Sequence, residues 1–549
     1  MTVTAPADRR TNPWVVLVVL ALGTFMTLLD LTIVNIAIPR LVDGVHASLD
    51  QVLWMLNGYS LAYAVLLITA GRLGDIVGPR TLFVTGLLVF VAASAFSGTA
   101  PSADQLIAAR ALQGIGAALL APQTMAIILT LFPAERRAPV FAVYGILAGL
   151  AVMAGPTLGG FLVTNFGWRW IFFVNVPVGL ALVVATLRLV PDLRPGRRHR
   201  LDLAGVALVT GSLFCLVFGL IEGQRYAWGT VTGILSIPLI LAAGAVLLAV
   251  FVVHQARRQG GEPLLAFAVF RDRNFTLMAL VLCAMGFAIV GLYLPLTIYY
   301  QSILGLSAIA AGLTIAVQPA AMFLSSGAAN GPAGQRLDPK WLLVPGLLLL
   351  AAGSAFIAWD VQADSGRWSL VPGLVVSGVG MGCIWGPVFS VATRNIRPEL
   401  GGVASGVLNT IQELGAVIAS AGVGALLQNR LAVALHHRAE AAAGRLPAAF
   451  AGHFVAQFAR AARHGLEIGA GQTGGALPVP GGTASATVAL LRSLAHGVFV
   501  NAFVDAMRPT LLLPITVLVL AAVVALGVRG RSPAPARADG GAAGVVGAA

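Results

Sequence analysis

Three ionisable side chains lie deep inside long apolar stretches: Asp30, Arg110 and Glu413. A charge in hydrocarbon costs several kcal/mol, so such groups are functional candidates that need a partner or a water-filled cavity. At 1.5 Å per residue, Asp30 lies about 14 Å below the expected outer end of its helix near Pro39, and Arg110 about 9 Å below Asp104. Their depths agree within a turn, so the two can meet. Burial disfavours a charged carboxylate and a nearby guanidinium favours it, so a movement that parts them changes proton affinity and can couple a proton to conformation. A permanent structural ion pair is the rival reading. Glu413, beside Gln412 and one turn after Asn409, forms a polar stripe that can serve as a second proton site or a counter-charge for cargo. Glu222 is weaker, being near a helix end.

Other chemistries lack their residues. Lys340 is the sole lysine, between Pro339 and Trp341, so no phosphate loop ending in Gly-Lys-Ser/Thr exists. No His/Cys/Glu cluster has metal-ligand spacing. Neither an enzyme nor a bound cofactor or metal is expected, and the energy must come from an ion gradient, a substrate gradient or another subunit. The cysteines Cys215, Cys283 and Cys383 fall in separate apolar runs and read as small core hydrophobes.

The elements that must hold these groups are membrane helices. Of 549 residues, 58% are hydrophobic and 10% charged, with mean hydropathy +0.89. Runs long enough to cross roughly 30 Å of hydrocarbon recur along the chain. Fourteen spans are expected, beginning near residues 14, 51, 81, 105, 140, 168, 203, 232, 275, 307, 341, 370, 403 and 510, the first being a retained span rather than a cleaved signal. With both termini cytoplasmic, the inner segments hold 22 of the 34 Lys and Arg residues, while the short outer loops keep Arg40, Arg169, Arg225 and Arg367. The net charge of +13 therefore records orientation rather than nucleic-acid binding.

The turn from Gly71 to Arg80 (GRLGDIVGPR) aligns with Gly331 to Lys340 (GPAGQRLDPK) at an offset of 260. Each follows the second span of a six-span block, the repeat symmetry of an alternating-access carrier. The expected organisation is an all-α polytopic protein: a six-helix bundle over 1–200, two inserted spans over 201–260, a second six-helix bundle over 261–530 and a disordered tail over 531–549. The second bundle carries a long outer loop, 430–509, with a helix-prone stretch at 431–466 and a Gly/Pro run at 469–482. That loop is a tether or a lid.

Gly71, Arg72, Asp75, Gly78 and Arg80 are candidates for a gating latch, glycine permitting the reversal and Asp75 accepting backbone N–H groups at a helix N-terminus. Gly149, Gly155, Pro156, Gly159 and Gly160 make the fifth span a close-packing helix with an expected bend at the proline. Asn35, Tyr59, Tyr63, Gln113, Tyr144, Trp385, Asn409 and Glu413 are the expected lining of an apolar cargo cavity.

The run Leu29 to Pro39 (LDLTIVNIAIP) resembles the first-helix signature of the fourteen-span drug:proton antiporters of the major facilitator superfamily, the EmrB/QacA type. The Gly71 to Arg80 turn is similar to that superfamily's loop motif, Arg110 to Gly116 (RALQGIG) to its fourth-helix motif, Gly155 to Gly160 (GPTLGG) to its antiporter motif, and Trp168 to Pro177 (WRWIFFVNVP) to the entry of its sixth helix. The resemblance implies the major facilitator fold and proton-coupled efflux of small hydrophobic drugs or antibiotics from a bacterial inner membrane, by a monomer whose partners are cargo, protons and lipid, without nucleic acid. An exporter of a lipid, siderophore or endogenous metabolite is the alternative within the fold; a sensor or scaffold is the alternative outside it. It also implies that Asp30 and Arg110 belong to proton coupling and Asp75 to gating. Gln412-Glu413 departs from an Arg-Gln pair common in relatives.

Overall fold

The computed structural model describes residues 12–45, 47, 49–133, 136–192, 201–223, 225–260, 263–331, 337–397, 400–446, 448–463 and 485–529. The tail expected over 531–549 and the Gly/Pro run over 469–482 lie outside them. The first half contains α1 (Pro13–Val45), α2 (Leu49–Val77), α3 (Pro79–Thr99), α4 (Ala103–Leu131), α5 (Arg137–Asn165), the short α6 (Trp170–Phe173) and α7 (Asn175–Leu189). An inserted pair follows, α8 (Leu203–Glu222) and α9 (Ile237–Arg257), joined at one end by the hairpin β1 (Thr230–Thr232) and β2 (Leu235–Ser236). The second half contains α10 (Ala268–Arg271), α11 (Arg273–Ile298), α12 (Ala308–Ile315), α13 (Val317–Asn330), α14 (Lys340–Asp360), α15 (Val371–Ala392), α16 (Gly401–Ala443), α17 (Ala448–Arg463) and α18 (Ser485–Leu526).

Helix starts follow from local chemistry. Ser102, Asp202, Ser236, Asp272 and Ser307 each accept a backbone N–H at the start of the next helix. Gly78, at φ 103°, turns the chain between α2 and α3, a conformation a side chain resists, and Pro79 opens α3. Among the described residues, 13 helical stretches are long and apolar enough to cross a membrane. The 29-residue α5 lies where the fifth expected span was placed. The chain is a multi-pass membrane protein.

The two halves repeat one packing scheme. In the first, α1 packs on α5 and α7, α2 on α4, and α3 on α4 and α7; in the second, α11 packs on α16 and α18, α13 on α15, and α14 on α15 and α18. The halves meet with the same symmetry. Helix α5 lies against α13 and α15, and α16 lies against α2 and α4. The inserted α8 packs on α2 and α16, where Val209, Leu213 and Val217 join Leu61, Val65 and Val417, so α8 covers one side of the α2–α16 seam.

Two expectations of extent are corrected. Helix α1 continues past Pro39 to Val45. The helix-prone part of 430–509 is helical, but it includes the end of α16, which runs on to Ala443, as well as α17, and α18 begins at Ser485 rather than near 510. Leu427, Leu431, Leu435 and Ala439 form a stripe at every fourth residue, and this stripe packs with Phe454 and Phe458 of α17 and with Ala495, Phe499 and Ala502 of α18. Burial of that stripe accounts for the continuation of α16 past its apolar run. The resulting cap rests on Tyr299, Tyr300, Leu370 and Leu374 at one end of the second half.

At the opposite end of the inserted pair, Asp202 accepts from Gly205 N (3.1 Å), Gln255 Nε2 (2.8 Å) and Arg258 Nη1 (3.2 Å), with His254 Nε2 at 3.0 Å. Burial alone pushes this carboxyl up, but the Gly205 N–H, His254 and Gln255 outweigh it and hold it below its ordinary value. A carboxyl depressed in the folded state contributes stability that is complete above its unfolded value of about 3.9 and is lost as pH falls through the lower folded value. Thermal unfolding in detergent should therefore show Asp202→Asn melting below the parent at pH 5 to 8. The gap should close only under stronger acid; equal melting of the two proteins at pH 7 would show that the Asp202 carboxylate contributes no stability.

Candidate functional site

Five helices of the first half converge on one carboxylate. Asp30 of α1 is ion-paired through Oδ2 with Arg110 Nη1 of α4, and both residues are 0% exposed. Asp30 Oδ1 accepts from Gln113 Nε2 (3.1 Å) and from Asn175 Nδ2 (2.8 Å) at the start of α7. Ser94 of α3 accepts from Gln113 Nε2 (2.7 Å) and Asn175 Nδ2 (3.0 Å), and Ser97 Oγ donates to Gln113 Oε1 (3.2 Å). Arg110 also donates to Gln113 Oε1 (2.9 Å) and through Nε to the Met55 carbonyl of α2 (3.2 Å), with its guanidinium carbon 4.6 Å from the Tyr59 ring centroid. Arg110 Nη2 has no hydrogen-bond partner among the described residues.

Both carboxylate oxygens are thus occupied and sealed from water. All members of this network belong to the first half, so rigid rocking of one half against the other would not part them.

Gln113, expected in the cargo cavity, is 0% exposed and belongs to this network instead. Lying three residues after Arg110, it shares the arginine's helix face. Tyr59, also expected in the cavity, is 1% exposed beneath Arg110 and stacks on the partly buried Tyr63, with centroids 6.3 Å apart. Sequence reasoning assigned no role to Ser94, Ser97 or Asn175. Their signal was polarity inside apolar helices, with Ser94 and Ser97 one turn apart.

The 71–80 turn meets the start of α16 across the seam between the halves. Asp75 Oδ1 and Oδ2 accept from the backbone of Gly402 and Val403, each at 3.2 Å, at the N-terminus of α16. A Cβ at Gly71 would lie 2.5 Å from the Gly402 carbonyl, and one at Gly406 2.9 Å from the Leu67 carbonyl, so bare backbones form the seam. Arg72 is buried beside it, whereas Arg80 reaches the Leu187 carbonyl of α7 and stays within the first half.

Residues 402, 406, 409 and 413 share one stripe of α16. The first two seal on α2; past them Asn409 donates to Ser405 O (2.9 Å) and Glu413 is partly buried. The antiparallel register set by Gly402 on Gly71 and Gly406 on Leu67 carries Glu413 toward Tyr63 and Tyr59. On α15, the partly buried Trp385 stacks on Phe389 at 5.7 Å. Within α5, Gly155 abuts Thr32 of α1 and Gly160 abuts Ile309 of α12, with Gly159 buried between them, so the helix packs on both halves. The side chains of Asn35, Tyr144 and Pro156, and the surroundings of Gly149, lie outside the described residues.

A family model described as Major Facilitator Superfamily matches residues 20–420. An uncharacterized MFS-type transporter of Mycobacterium tuberculosis is 39% identical over 440 residues, covering 79% of this chain and 73% of the relative. The tetracenomycin C resistance and export protein of Streptomyces glaucescens is 34% identical over 429 residues, 78% of each chain. Among solved structures, the human organic anion transporter MFSD10 (TETRAN) superimposes with a TM-score of 0.56 at 16% identity, covering 93% of this chain and 100% of that one, a likeness of fold.

Proposed function

The chain belongs to the Major Facilitator Superfamily, and on that premise we propose that it exports small hydrophobic drugs or antibiotics in exchange for protons by alternating access. The export direction draws on the relative named for tetracenomycin C resistance and export. The proton draws on one observation above all, the sealed Asp30–Arg110 pair with its amide and hydroxyl donors. A neutralised Asp30 releases Arg110 from its counter-ion, so proton occupancy and helix arrangement cannot vary independently.

Cargo occupies the space between the halves bounded by Tyr63, Trp385, Asn409 and Glu413. Glu413 is the titratable group on the cargo side. The protein works as a monomer in a bacterial inner membrane with both termini cytoplasmic, and the 71–80 turn with its Asp75 contacts closes the inner gate. A pH step of one unit and 100 mV supply about 1.4 and 2.3 kcal/mol per proton, together enough for a several-hundred-fold cargo gradient.

Proteoliposomes enclosing a pH-sensitive dye test this. With an imposed pH gradient, tetracenomycin C is expected to accelerate discharge of the gradient in vesicles containing the protein and not in empty ones. Discharge that no hydrophobic drug accelerates would remove the antiport reading.

A further inference from the structure

Beside the bare-backbone contacts of α2 on α16, Asp75 bonds across the seam between the halves. A second charged side chain there is Arg137, the first residue of α5, which is 6% exposed although it lies at a helix terminus. Its guanidinium donates through Nε to the Phe132 carbonyl (3.2 Å), through Nη2 to the Leu129 carbonyl (3.2 Å), and through Nη1 across the seam to the Thr393 carbonyl (2.7 Å). Leu129 and Phe132 end α4; Thr393 is the C-cap of α15. One cation thus caps the negative poles of two helices, one from each half.

Helices α15 and α16 are consecutive, and residues 393–400 join them. The first half grips this connection at both ends with opposite charges. Arg137 holds the carbonyl end of α15 at Thr393, and Asp75 holds the amide end of α16 at Gly402 and Val403. Each charge matches the helix pole it meets, so the two grips reinforce one docking geometry and resist sliding along the seam.

We propose that Arg137 is a positioning residue for transport, the second point of a two-point inner latch that must release together with Asp75 before the inner side opens. This deepens the alternating-access reading and rests on it. The test needs neither cargo nor a proton gradient, so its failure would be distinct from failure of drug antiport.

In a chain with Cys215, Cys283 and Cys383 replaced by alanine, Ala126→Cys reports on the inner seam, because Ala126 is 6% exposed and faces the Gly401 backbone of the other half. Ile309→Cys reports on the outer end. Labelling of each with a membrane-impermeant maleimide, in inside-out and right-side-out vesicles respectively, is compared with and without Arg137→Ala. Position 126 is expected to react at least about threefold faster, the shift that one ordinary lost hydrogen bond can cause, while position 309 is unchanged or slower. Arg137→Lys, with one ammonium for three carbonyls, should give a smaller rise, and it replaces the alanine variant if that fails to reach the membrane. An unchanged rate at 126 in the Lys variant and in any folded Ala variant would overturn the proposal, as would acceleration at both positions, which marks general loosening.

Discussion

Asp30→Asn is expected to abolish gradient-driven accumulation while leaving cargo exchange measurable. The carboxamide is nearly isosteric, so Gln113, Asn175 and Ser94 keep a polar centre, but the counter-charge of a 0% exposed arginine is gone. Without a titratable group at this point, the driving force of about 3.7 kcal/mol per proton from one pH unit and 100 mV no longer reaches the cargo. The accumulation ratio in vesicles should fall from its several-hundred-fold ceiling toward unity. Breaking one side of a buried pair costs about 3–5 kcal/mol of stability, so the variant should also melt lower. Cargo-for-cargo exchange at equal pH separates the two effects: a folded, exchanging but uncoupled protein is the expected outcome. Accumulation at the parental level in a well-folded Asp30→Asn would leave the pair a structural tie, as the rival reading holds.

How much of this was legible in the sequence varied with the physics involved. The meeting of Asp30 and Arg110 followed from depth alone, since hydrocarbon leaves two isolated charges few alternatives. The order of the helices followed from their length and hydropathy. The placement of Gln113 and Tyr59 did not, because a helix such as α4 is enclosed on nearly every side, and its apolar pattern then has no phase to separate cavity from core. Proximity along the helix was the better guide, Gln113 being one turn from Arg110. The stretch after 431 read as helix-prone, but its continuity with α16 was not legible, because the Leu427, Leu431 and Leu435 repeat lies past the end of the apolar run that marks the span. Arg137 was counted only as an inner positive charge. Its role depends on the Thr393 carbonyl 256 residues away, a contact no local pattern carries.

The second large effect is expected from a single methyl group. At Gly71, an added Cβ would lie 2.5 Å from the Gly402 carbonyl oxygen, 3.2 Å from its carbon and 3.3 Å from Gly406 Cα. All three are backbone atoms of α16, so no side-chain rotation relieves the overlap. Only separation of the halves does. That separation also lengthens the 3.2 Å contacts from Gly402 and Val403 to Asp75, and each hydrogen bond to a charged group is worth about 1.5–3 kcal/mol. Gly71→Ala should therefore disfavour the inner-closed state by several kcal/mol, enough to reverse a preference of two orders of magnitude, and transport should fall by at least about tenfold. Gly58→Ala is the control, since its Cβ would make only ordinary contacts at 3.9 Å or more with Ile107. The Ala126→Cys reporter should label faster in Gly71→Ala and at the parental rate in Gly58→Ala. If Gly71→Ala transports normally with the reporter still protected, the α2–α16 seam has more slack than bare backbone contact allows, and closure of the inner gate has to be assigned to other contacts.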